Sequence, residues 1–383
     1  MSIVISIDSG LDFHEAEWRD LEGRCNGHVF QSFDWVNAWR HTAHAAKAIV
    51  PVILIARLSE SGRMMMLWPL ALRNSPIGLR SICKLGGIHA DYGGPIYDRQ
   101  SLGNHRREFA GLLVSTLREA RIDYVDLEGV PKDDCEWLGL DRFSIGPGEQ
   151  ASRIVFPSDP SAFFSSLSKK LIADIRRQER RLSELGNLEI VIGATGQRAR
   201  DITEAMLQQK AERYIATGAA NQFLMGGNRD FYRTATERFA SSSGMIHVSA
   251  ILLNGKVIAA HWGAKYGSTF YYLMPSYDSS DVGKYSPGKI LLDKLIRNMA
   301  SYGVRVFDLT IGDEPYKNIW SNETIHLLRL NIAPRALGNI GIFLNKAFLR
   351  TYYALRAIRV VRDLKRNAFR GGNRLAGWIR GSK

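Results

Sequence analysis

The residues best suited to chemistry lie between Asp278 and Lys317 of this 383-residue chain. Within that run the motif GKYSPGK (residues 283–289) opens a helical pattern, and Ser-Pro-Gly is typical of a helix start. A helix N-terminus supplies free backbone N–H groups and a partial positive charge, which suit a pyrophosphate. The expected phosphate contacts are Lys284, Ser286, Gly288 and Lys289. The alternative is an ordinary capped helix that binds no ligand.

Two further segments carry polar groups at positions where sites often form. The sequence DLTIGDEPYK (residues 308–317) continues beyond a buried strand pattern, and sites in α/β proteins usually lie just past a strand end. The helical motif QKAERY (residues 209–214) opens the second half of the chain. The residues expected to contact a substrate are Arg213, Tyr214, Tyr272 and Asp278. The alternative for a charged residue on this helix, such as Arg213, is that it is exposed to water and contacts no substrate.

Several enzyme classes lack their motifs in this sequence. The nine histidines are scattered, and neither H-x-x-x-H nor C-x-x-C occurs, so no metal site is expected. There is no G-x-S-x-G elbow, no P-loop and no Rossmann glycine motif after a strand. We therefore expect neither a metalloenzyme, nor an α/β-hydrolase, nor a P-loop or dinucleotide enzyme.

The termini and the cysteines predict the compartment. Three widely spaced cysteines (Cys25, Cys83 and Cys135) form no disulfide framework, which favours a reducing environment. The N-terminus reads as a strand because it lacks a basic region and a cleavage site, and no apolar run reaches the roughly 18 residues of a membrane span. We expect a cytoplasmic protein.

The basicity of the chain is concentrated in its last segment. Residues 336–383 hold eleven lysines and arginines against one acid, Asp363, and so account for +10 of the net charge of +13. The nearly neutral remainder argues against a large nucleic-acid footprint. The tail joins aromatic and aliphatic residues to arginines at helical spacing, which predicts a helix at an anionic membrane surface, on its inner face. The alternatives are a docking arm for an acidic partner and a plain basic tail.

The order of elements repeats in the two halves of the chain. Runs typical of strands at 51–58 and 64–73 are followed by the Gly-rich stretch 84–98, a helix near 103–120 and the strand pattern at 122–130. The second half has three strand patterns from HVSAILL to STFYYLMPSYD, then the helix KILLDKLIRNMAS and the strand VRVFDLTIG.

We therefore predict an α/β protein (α+β type) of two tandem β-β-β-α-β units with mixed, largely antiparallel sheets, plus a basic helical tail. The first unit is predicted to span residues 1–157, the second unit residues 158–334 and the basic tail residues 335–383. Near the first of these boundaries lies the amphipathic helix pattern SLSKKLIADIRRQERRLSELG. Its arginines pair four residues apart, which predicts either a solvated linker helix or a clamp for phosphates.

Four segments together resemble a known family: PSDPSAFFSSLSKKLIADIRRQERRL, KVIAAHWGAKYGSTFYYLMPSYD, YSPGKILLDKLI and FDLTIGDEPYKNIW. They are similar to the CelD/BcsL-type members of the GNAT acyltransferase superfamily, over residues 28–330. That family is in turn similar to the FemABX aminoacyltransferases, which have twin GNAT-like domains. The resemblance implies GNAT-like units and acyl transfer from acetyl-CoA or another acyl-CoA to an amine or hydroxyl, in cellulose or exopolysaccharide biosynthesis.

The resemblance gives the candidate catalytic residues their roles. The strand STFYYLMP is expected to offer backbone donors to the thioester carbonyl. Asp308, Asp313 and His261 are candidates for the base, and Tyr316 for the proton donor to the leaving thiolate. Lys317 matches the lysine of the FemABX-like F/Y-K motif, which implies contact with the donor or with developing charge. A lone strand histidine is also common as a core residue, and Asp308 can simply cap backbone N–H groups.

One feature departs from the superfamily pattern. The GNAT pyrophosphate loop is Q/R-x-x-G-x-G/A, whereas this chain has Pro287 in the comparable stretch, and proline removes an N–H donor. Two alternatives to acyl-CoA transfer to a saccharide or envelope precursor therefore stay open. One is an aminoacyl-tRNA donor, and the other is a non-catalytic accessory protein of a polysaccharide synthase.

Overall fold

The protein is described by a computed structural model. The described residues are 2–25, 27–43, 49–75, 77–218, 221–224, 226–241, 244–345, 347 and 351. Their strands are β1 (Ile3–Asp8), β2 (Ile49–Leu58), β3 (Met64–Asn74), β4 (Arg80–Lys84), β5 (Ile96–Tyr97), β6 (Tyr124–Pro131), β7 (Ser144–Val155), β8 (Leu188–Ala194), β9 (Ile246–Leu253), β10 (Lys256–Tyr266), β11 (Thr269–Tyr277), β12 (Val306–Ile311) and β13 (Glu323–Ile332).

The α-helices come mostly between these strands and cover both faces of the sheet. They are α1 (Glu15–Arg24), α2 (Phe33–His41), α3 (Arg99–Leu102), α4 (Arg106–Glu119), α5 (Lys132–Trp137), α6 (Pro160–Ser166), α7 (Lys169–Ser183), α8 (Gly196–Thr217), α9 (Asn228–Phe239), α10 (Pro287–Ser301) and α11 (Pro315–Trp320). Residues 338–345 are also helical. The predicted repeat of strands, helix and strand is present in both halves of the chain.

All the strands belong to one mixed sheet, in the order β1-β2-β3-β4-β6-β13-β7-β12-β11-β10-β9-β8, with β5 beside β3. Only two neighbouring pairs are parallel, β4 with β6 and β11 with β12. The predicted α/β class with a mixed, largely antiparallel arrangement is confirmed. The two halves share one continuous sheet, which the sequence did not indicate.

The continuous sheet arises because the halves exchange their last strands. β7 closes the first half in sequence, but it pairs with β12 of the second half. β13 closes the second half, but it pairs with β6 of the first. The two exchanged strands also pair with each other, antiparallel, at the centre of the sheet. Each half therefore depends on the other for one strand of its hydrogen-bonded ladder.

Helices α7 and α10 form the layer on one face of the second half. Helix α10 buries an apolar stripe, which includes Ile290, Leu295 and Met299, against β10 and β11. The basic helix α7 lies on α10, where its acidic residues contact lysines: Asp174 with Lys289 and Glu179 with Lys294. Helices α8 and α9 contact each other, and α8 also packs on β10 and β11. The start of α10 and the middle of α8 consequently meet at one end of β11.

Candidate functional site

Strands β11 and β12 separate after a short parallel ladder. They pair only from Thr269 with Val306 to Tyr271 with Asp308. Beyond that point β11 has a bulge, because Ala264 of β10 pairs with Tyr271 and Trp262 pairs with Met274, which leaves one extra residue on β11. A bulge bends its strand and interrupts the ladder. The backbone of β11 past Tyr271 is therefore left unpaired with β12 and borders an opening in the sheet.

This opening leads into a pocket of about 420 Å³, within the range of small-molecule sites (roughly 300–1,000 Å³). Its walls come from the end of β11, from α8, from the first turn of α10 and from α11. The predicted site residues that line it are Arg213, Tyr272, Ser286, Gly288, Lys289 and Tyr316. The lining residues that the sequence analysis did not nominate include Gln209, Lys210, Tyr277, Glu314 and Trp320. Residues from four distant segments thus meet at the separation of β11 and β12.

The first turn of α10 faces the pocket with its backbone. Ser286 takes the N-cap position, with a left-handed backbone (φ +53°). Its side chain makes no capping hydrogen bond to the backbone N–H groups of α10. Pro287 follows as the first helical residue. A Cβ at Gly288 would have ordinary contact, 3.6 Å from Tyr277 Cδ1, so glycine is not forced by lack of space. Its lack of a side chain keeps this end of the helix open to a ligand, as an anion site requires.

Two cations flank this turn. Lys289 reaches Asp174 of α7 at 3.2 Å, and its side chain is about one-third exposed. Arg213 donates to the hydroxyl of Tyr277 at 2.6 Å. Lys284, by contrast, does not line the pocket; its ammonium lies 5.2 Å from the centre of the Tyr285 ring. The cationic side of the pocket is therefore formed by one residue from α10 and others from α8.

Two residues nominated as substrate contacts lie away from the pocket lining. Tyr214 packs its ring against Phe223, at 5.7 Å between centroids. Asp278 accepts from Lys256 at 2.6 Å and from the backbone of Ser280. Burial acts to raise the pKa of Asp278, but the bonds from Lys256 and Ser280 outweigh it and hold the pKa at about 2. These contacts organise the turn after β11.

Lys317 is a buried cation that holds the end of β12. Its ammonium donates to the carbonyl oxygens of Thr310 (3.3 Å) and Ile311 (2.5 Å) and contacts Glu314 at 3.0 Å. Thr310 has a left-handed backbone (φ +59°), which a β-branched residue rarely adopts. Lys317 therefore stabilises an irregular strand end and fixes Glu314, which does line the pocket.

The two aspartates nominated as bases differ in environment. Asp308 is fully buried and accepts from the Tyr92 hydroxyl, at 2.9 Å to each oxygen, and from the N–H of Thr310. Burial raises the pKa of Asp308 to about 6. Asp313 is exposed, and it forms no ion pair or hydrogen bond with any of the described residues. Neither aspartate is among the residues that line the pocket.

His261 is a core residue below the pocket wall. It is fully buried and stacks on Tyr272, with 4.4 Å between ring centroids and nearly parallel planes. Neither ring nitrogen has a hydrogen-bond partner among the described residues. Burial lowers the pKa of His261 well below its ordinary value, so the imidazole is neutral. Its contacts agree with the core alternative raised by its strand position.

Three ionisable groups in the pocket have altered affinities for protons. Burial raises the pKa of Tyr316, with the charge of Glu314 adding to the shift, so the phenol stays protonated. Burial also acts to raise the pKa of Glu314, but the bond from Lys317 outweighs it and the pKa is lowered. Burial lowers the pKa of Lys210 to about 8, helped by the charge of Arg213. The pocket thus holds an acid, a carboxylate and a weakly basic amine.

The corresponding opening in the first half is closed. β4 and β6 also pair for three residues, from Ser81 with Tyr124 to Cys83 with Asp126. There the N–H of Gly93 donates to Gly129 O at 2.8 Å, so a loop of the chain itself lies along β6. The space that is a pocket in the second half is therefore filled by backbone.

The helix start of the first half is occupied as well. Asp98 caps α3 with its carboxylate, which accepts from the backbone N–H groups of Gln100 and Ser101. Its other oxygen accepts from Arg24 at 3.2 Å. A carboxylate of the chain thus stands where the second half presents an uncapped backbone. Among the described residues, only the second half combines an open strand separation with a helix start that has no side-chain cap.

Residues 169–318 match the family model of the GNAT acetyltransferase domain. The matched range starts with α7 and ends within α11, and it includes the separated strands and the pocket. The second half carries a GNAT domain, and the protein is an acyltransferase. Domains of this kind use acyl-CoA, and the matched range contains the open pocket at the start of α10. No curated protein matches the chain.

Solved structures extend the likeness beyond the GNAT domain to most of the chain. FemX is similar at a TM-score of 0.55 and 10% identity, with 83% of this chain and 95% of that chain covered. L-PGS from Bacillus licheniformis is similar at a TM-score of 0.52 and 9% identity, with 88% and 96% covered. At such identities the likeness concerns the fold. It supports the FemABX-like arrangement of two units expected from the sequence.

The described residues contain neither a metal-binding cluster nor a membrane-spanning helix. No group of three or more histidine, cysteine or acidic side chains is arranged to hold a metal ion. None of the described helices is long and apolar enough to cross a membrane. Most of the basic tail, from residue 352 onward, lies outside the described residues, and so does the predicted membrane helix.

Proposed function

We propose that the GNAT domain transfers an acyl group from acyl-CoA to an amine or hydroxyl of a saccharide or another cell-envelope precursor. The observation that carries the proposal is the separation of β11 and β12, which opens into a pocket at the first turn of α10. An acyl-CoA donor needs hydrogen-bond donors for its thioester carbonyl and positive potential for its pyrophosphate. The unpaired edge of β11 could supply the first and the start of α10 the second, and both border this one pocket. The saccharide class of acceptor rests on the sequence motifs that resemble the CelD/BcsL type.

The donor would bind with its pyrophosphate at the first turn of α10. The backbone at Gly288, the ammonium of Lys289 and the guanidinium of Arg213 supply positive potential there. Pro287 contributes no N–H group, so side-chain cations carry a larger share than in a glycine-rich loop. A pocket of about 420 Å³ accommodates the pantetheine arm, while the adenosine part lies outside.

The chemistry would take place where β11 leaves β12. Unpaired N–H groups of β11 past Tyr271 would hold the thioester oxygen and stabilise the negative charge that develops on it. The acceptor nitrogen or oxygen attacks the carbonyl carbon, the new bond forms, and the C–S bond breaks. Tyr316, which is protonated at neutral pH, donates a proton to the departing thiolate and regains the proton that the acceptor group loses. Lys317 acts indirectly, because it fixes the end of β12 and Glu314.

Calorimetric titration with acetyl-CoA and longer acyl-CoAs tests the donor site. Lys289→Ala is expected to weaken binding about tenfold, since a charge-assisted phosphate contact is worth about 1.5 kcal/mol or more. Lys294→Ala is the matched control: Lys294 lies on the same helix, pairs with Glu179 and does not line the pocket. Equal loss in both variants would contradict the phosphate assignment. No binding of any thioester would favour an aminoacyl-tRNA donor or an accessory role.

A further inference from the structure

Lys210 differs from the other lysines that reach the second-half site. Lys289 is paired with Asp174, and Lys317 is bonded to two carbonyl groups and to Glu314. The ammonium of Lys210 lies within ion-pair or hydrogen-bond distance of no acceptor among the described residues, although it lines the pocket and the residue is partly buried. An amine that is shielded from water and has no partner carries a desolvation cost that favours its neutral, nucleophilic form.

The surroundings of Lys210 favour the neutral amine further. On its own helix α8 it is near Arg213, and across the strand opening it is near Lys317, both positive. Glu314 is the one negative group that acts on it in the opposite direction. His261 of β10 is neutral, and Tyr272 of β11 and Tyr316 of α11 keep their protons. The pKa of Lys210 accordingly falls to about 8.

Lys210 lies on the wall of the pocket that helix α8 forms. Helix α8 packs on β10 and β11, and Lys210 and Arg213 are three residues apart on the same face of it. Arg213 donates to Tyr277, which lies beside Gly288 of α10, whereas the charges of Lys317 and Glu314 act on Lys210. The amine therefore shares the pocket with Glu314 and Tyr316 of the segment that follows β12.

We propose that Lys210 is a self-acylation site, whose amine takes the acyl group of a bound thioester in the absence of another acceptor. This inference rests on the proposed donor site. The nitrogen lone pair of Lys210 attacks the thioester carbonyl carbon, a C–N bond forms and the C–S bond breaks. Tyr316 protonates the thiolate and regains a proton from the former amine, so the products are an N-acyl-lysine and free CoA thiol. No further reactant is required.

Intact-protein mass spectrometry after incubation with acetyl-CoA alone tests the proposal. The expected product is one added mass of about 42 Da per chain, mapped to the peptide that contains Lys210 and absent in Lys210→Arg. The rate should rise about tenfold from pH 7 to pH 9 and then level off, as for an amine with a pKa near 8. An exposed lysine would instead gain about a hundredfold over that range.

Lys256→Arg is the matched control. Lys256 is exposed and its pKa is raised by its bond with Asp278, so this variant should acquire the same single adduct as the unchanged protein. Equal labelling of Lys256 and Lys210, or the same labelling pattern in urea-unfolded protein, would overturn the proposal as nonspecific acylation. Calorimetric binding of acetyl-CoA without an adduct overturns self-acylation alone. Absence of both binding and adduct overturns the donor site too.

Discussion

The hydroxyl of Tyr92 lies 2.9 Å from both carboxylate oxygens of Asp308. Tyr92 comes from a loop of the first half, whereas Asp308 is on β12 and is the last residue that pairs with β11. Both side chains are fully buried. The two halves are therefore joined by a polar contact at the point where the donor strands separate. Asp308 is better explained as an anchor for this junction than as a proton acceptor for a substrate.

Asp308→Asn should remove part of the pH dependence of stability. Burial raises the pKa of Asp308 to about 6 from an ordinary value of 3.8, so between pH 4 and pH 6 the folded protein binds more protons than the unfolded chain. The free energy of unfolding therefore falls as pH rises through this window, by about 2–3 kcal/mol. Asparagine does not titrate.

Urea unfolding at pH 4, 5, 6 and 7 measures this effect. The variant should lose the decline in stability that is due to Asp308 and keep any decline due to Asp91, a partly buried carboxyl whose pKa is raised by desolvation. The unchanged Tyr92 still donates to the amide oxygen of asparagine. Identical pH profiles for the two proteins would show that Asp308 does not titrate in this range.

Gly129→Ala should destabilise the protein more than Gly62→Ala. Both glycines have a left-handed backbone, with φ of +74° and +69°, so alanine costs about 1 kcal/mol at either position from conformation alone. A Cβ at Gly129 would also lie 2.6 Å from the carbonyl oxygen of Asp91, whereas no described atom lies within 4 Å of one at Gly62. We expect a further 1–3 kcal/mol for Gly129→Ala. Equal shifts of the urea midpoint would mean that the loop along β6 yields without cost.

Lys317→Ala should slow the release of CoA thiol from acetyl-CoA by roughly a hundredfold, because loss of the bonds to Thr310 and Ile311 displaces Glu314 and the strand end. Asp313→Asn is the matched control, because Asp313 is an exposed residue near Lys317 in the sequence. It should alter the rate of CoA thiol release less than twofold. Donor affinity, measured by calorimetry, should change little in either variant. A larger effect of Asp313→Asn than of Lys317→Ala would make Asp313 the base predicted from the sequence.

The tail is predicted to bind anionic vesicles in a salt-sensitive way. The segment after residue 351 holds nine lysines and arginines and one acid, and each basic residue near such a surface contributes about 1 kcal/mol. A chain ending at residue 351 should bind vesicles of anionic lipid at least tenfold more weakly at low salt. This end point is preferable to residue 334, because Arg335 pairs with Asp123 and Asn345 bonds to Asp126. Equal vesicle binding by both chains would remove the membrane role.

Much of the fold was predictable because its signals are local. The turn at Asn254 and Gly255 separates β9 from β10, and Pro287 begins α10, as the residue types alone predict. The exchange of β7 and β13 was not predictable, since a strand sequence does not specify which distant edge it joins. Residues 144–155 carried no strand assignment at all in the sequence analysis. The polar run after β12 was expected to form a site, and two of its residues, Glu314 and Tyr316, line the pocket. The closed state of the first half was not expected.

The candidate site was only partly predictable for a related reason. Sequence identifies a helix, but which face meets the pocket depends on how the helix packs on the sheet. Tyr214 was therefore nominated although it packs on Phe223, and Lys210, one turn earlier, was passed over. The signal that could have found Lys210 is its spacing of three from Arg213, which puts the two on one helix face. Lys317 looked like a ligand contact because burial cannot be read from a polar motif.

The exchanged strand β13 also affects how the protein is made. β6 ends at Pro131, and the strand that covers its edge begins at Glu323, about 190 residues later in synthesis. At about 5–20 residues per second, the first half leaves the ribosome roughly 10–40 seconds before its partner strand exists. During that interval an apolar strand edge is open to pairing with other chains. Slower translation of the second half is therefore expected to prolong the exposure of this edge and to increase aggregation.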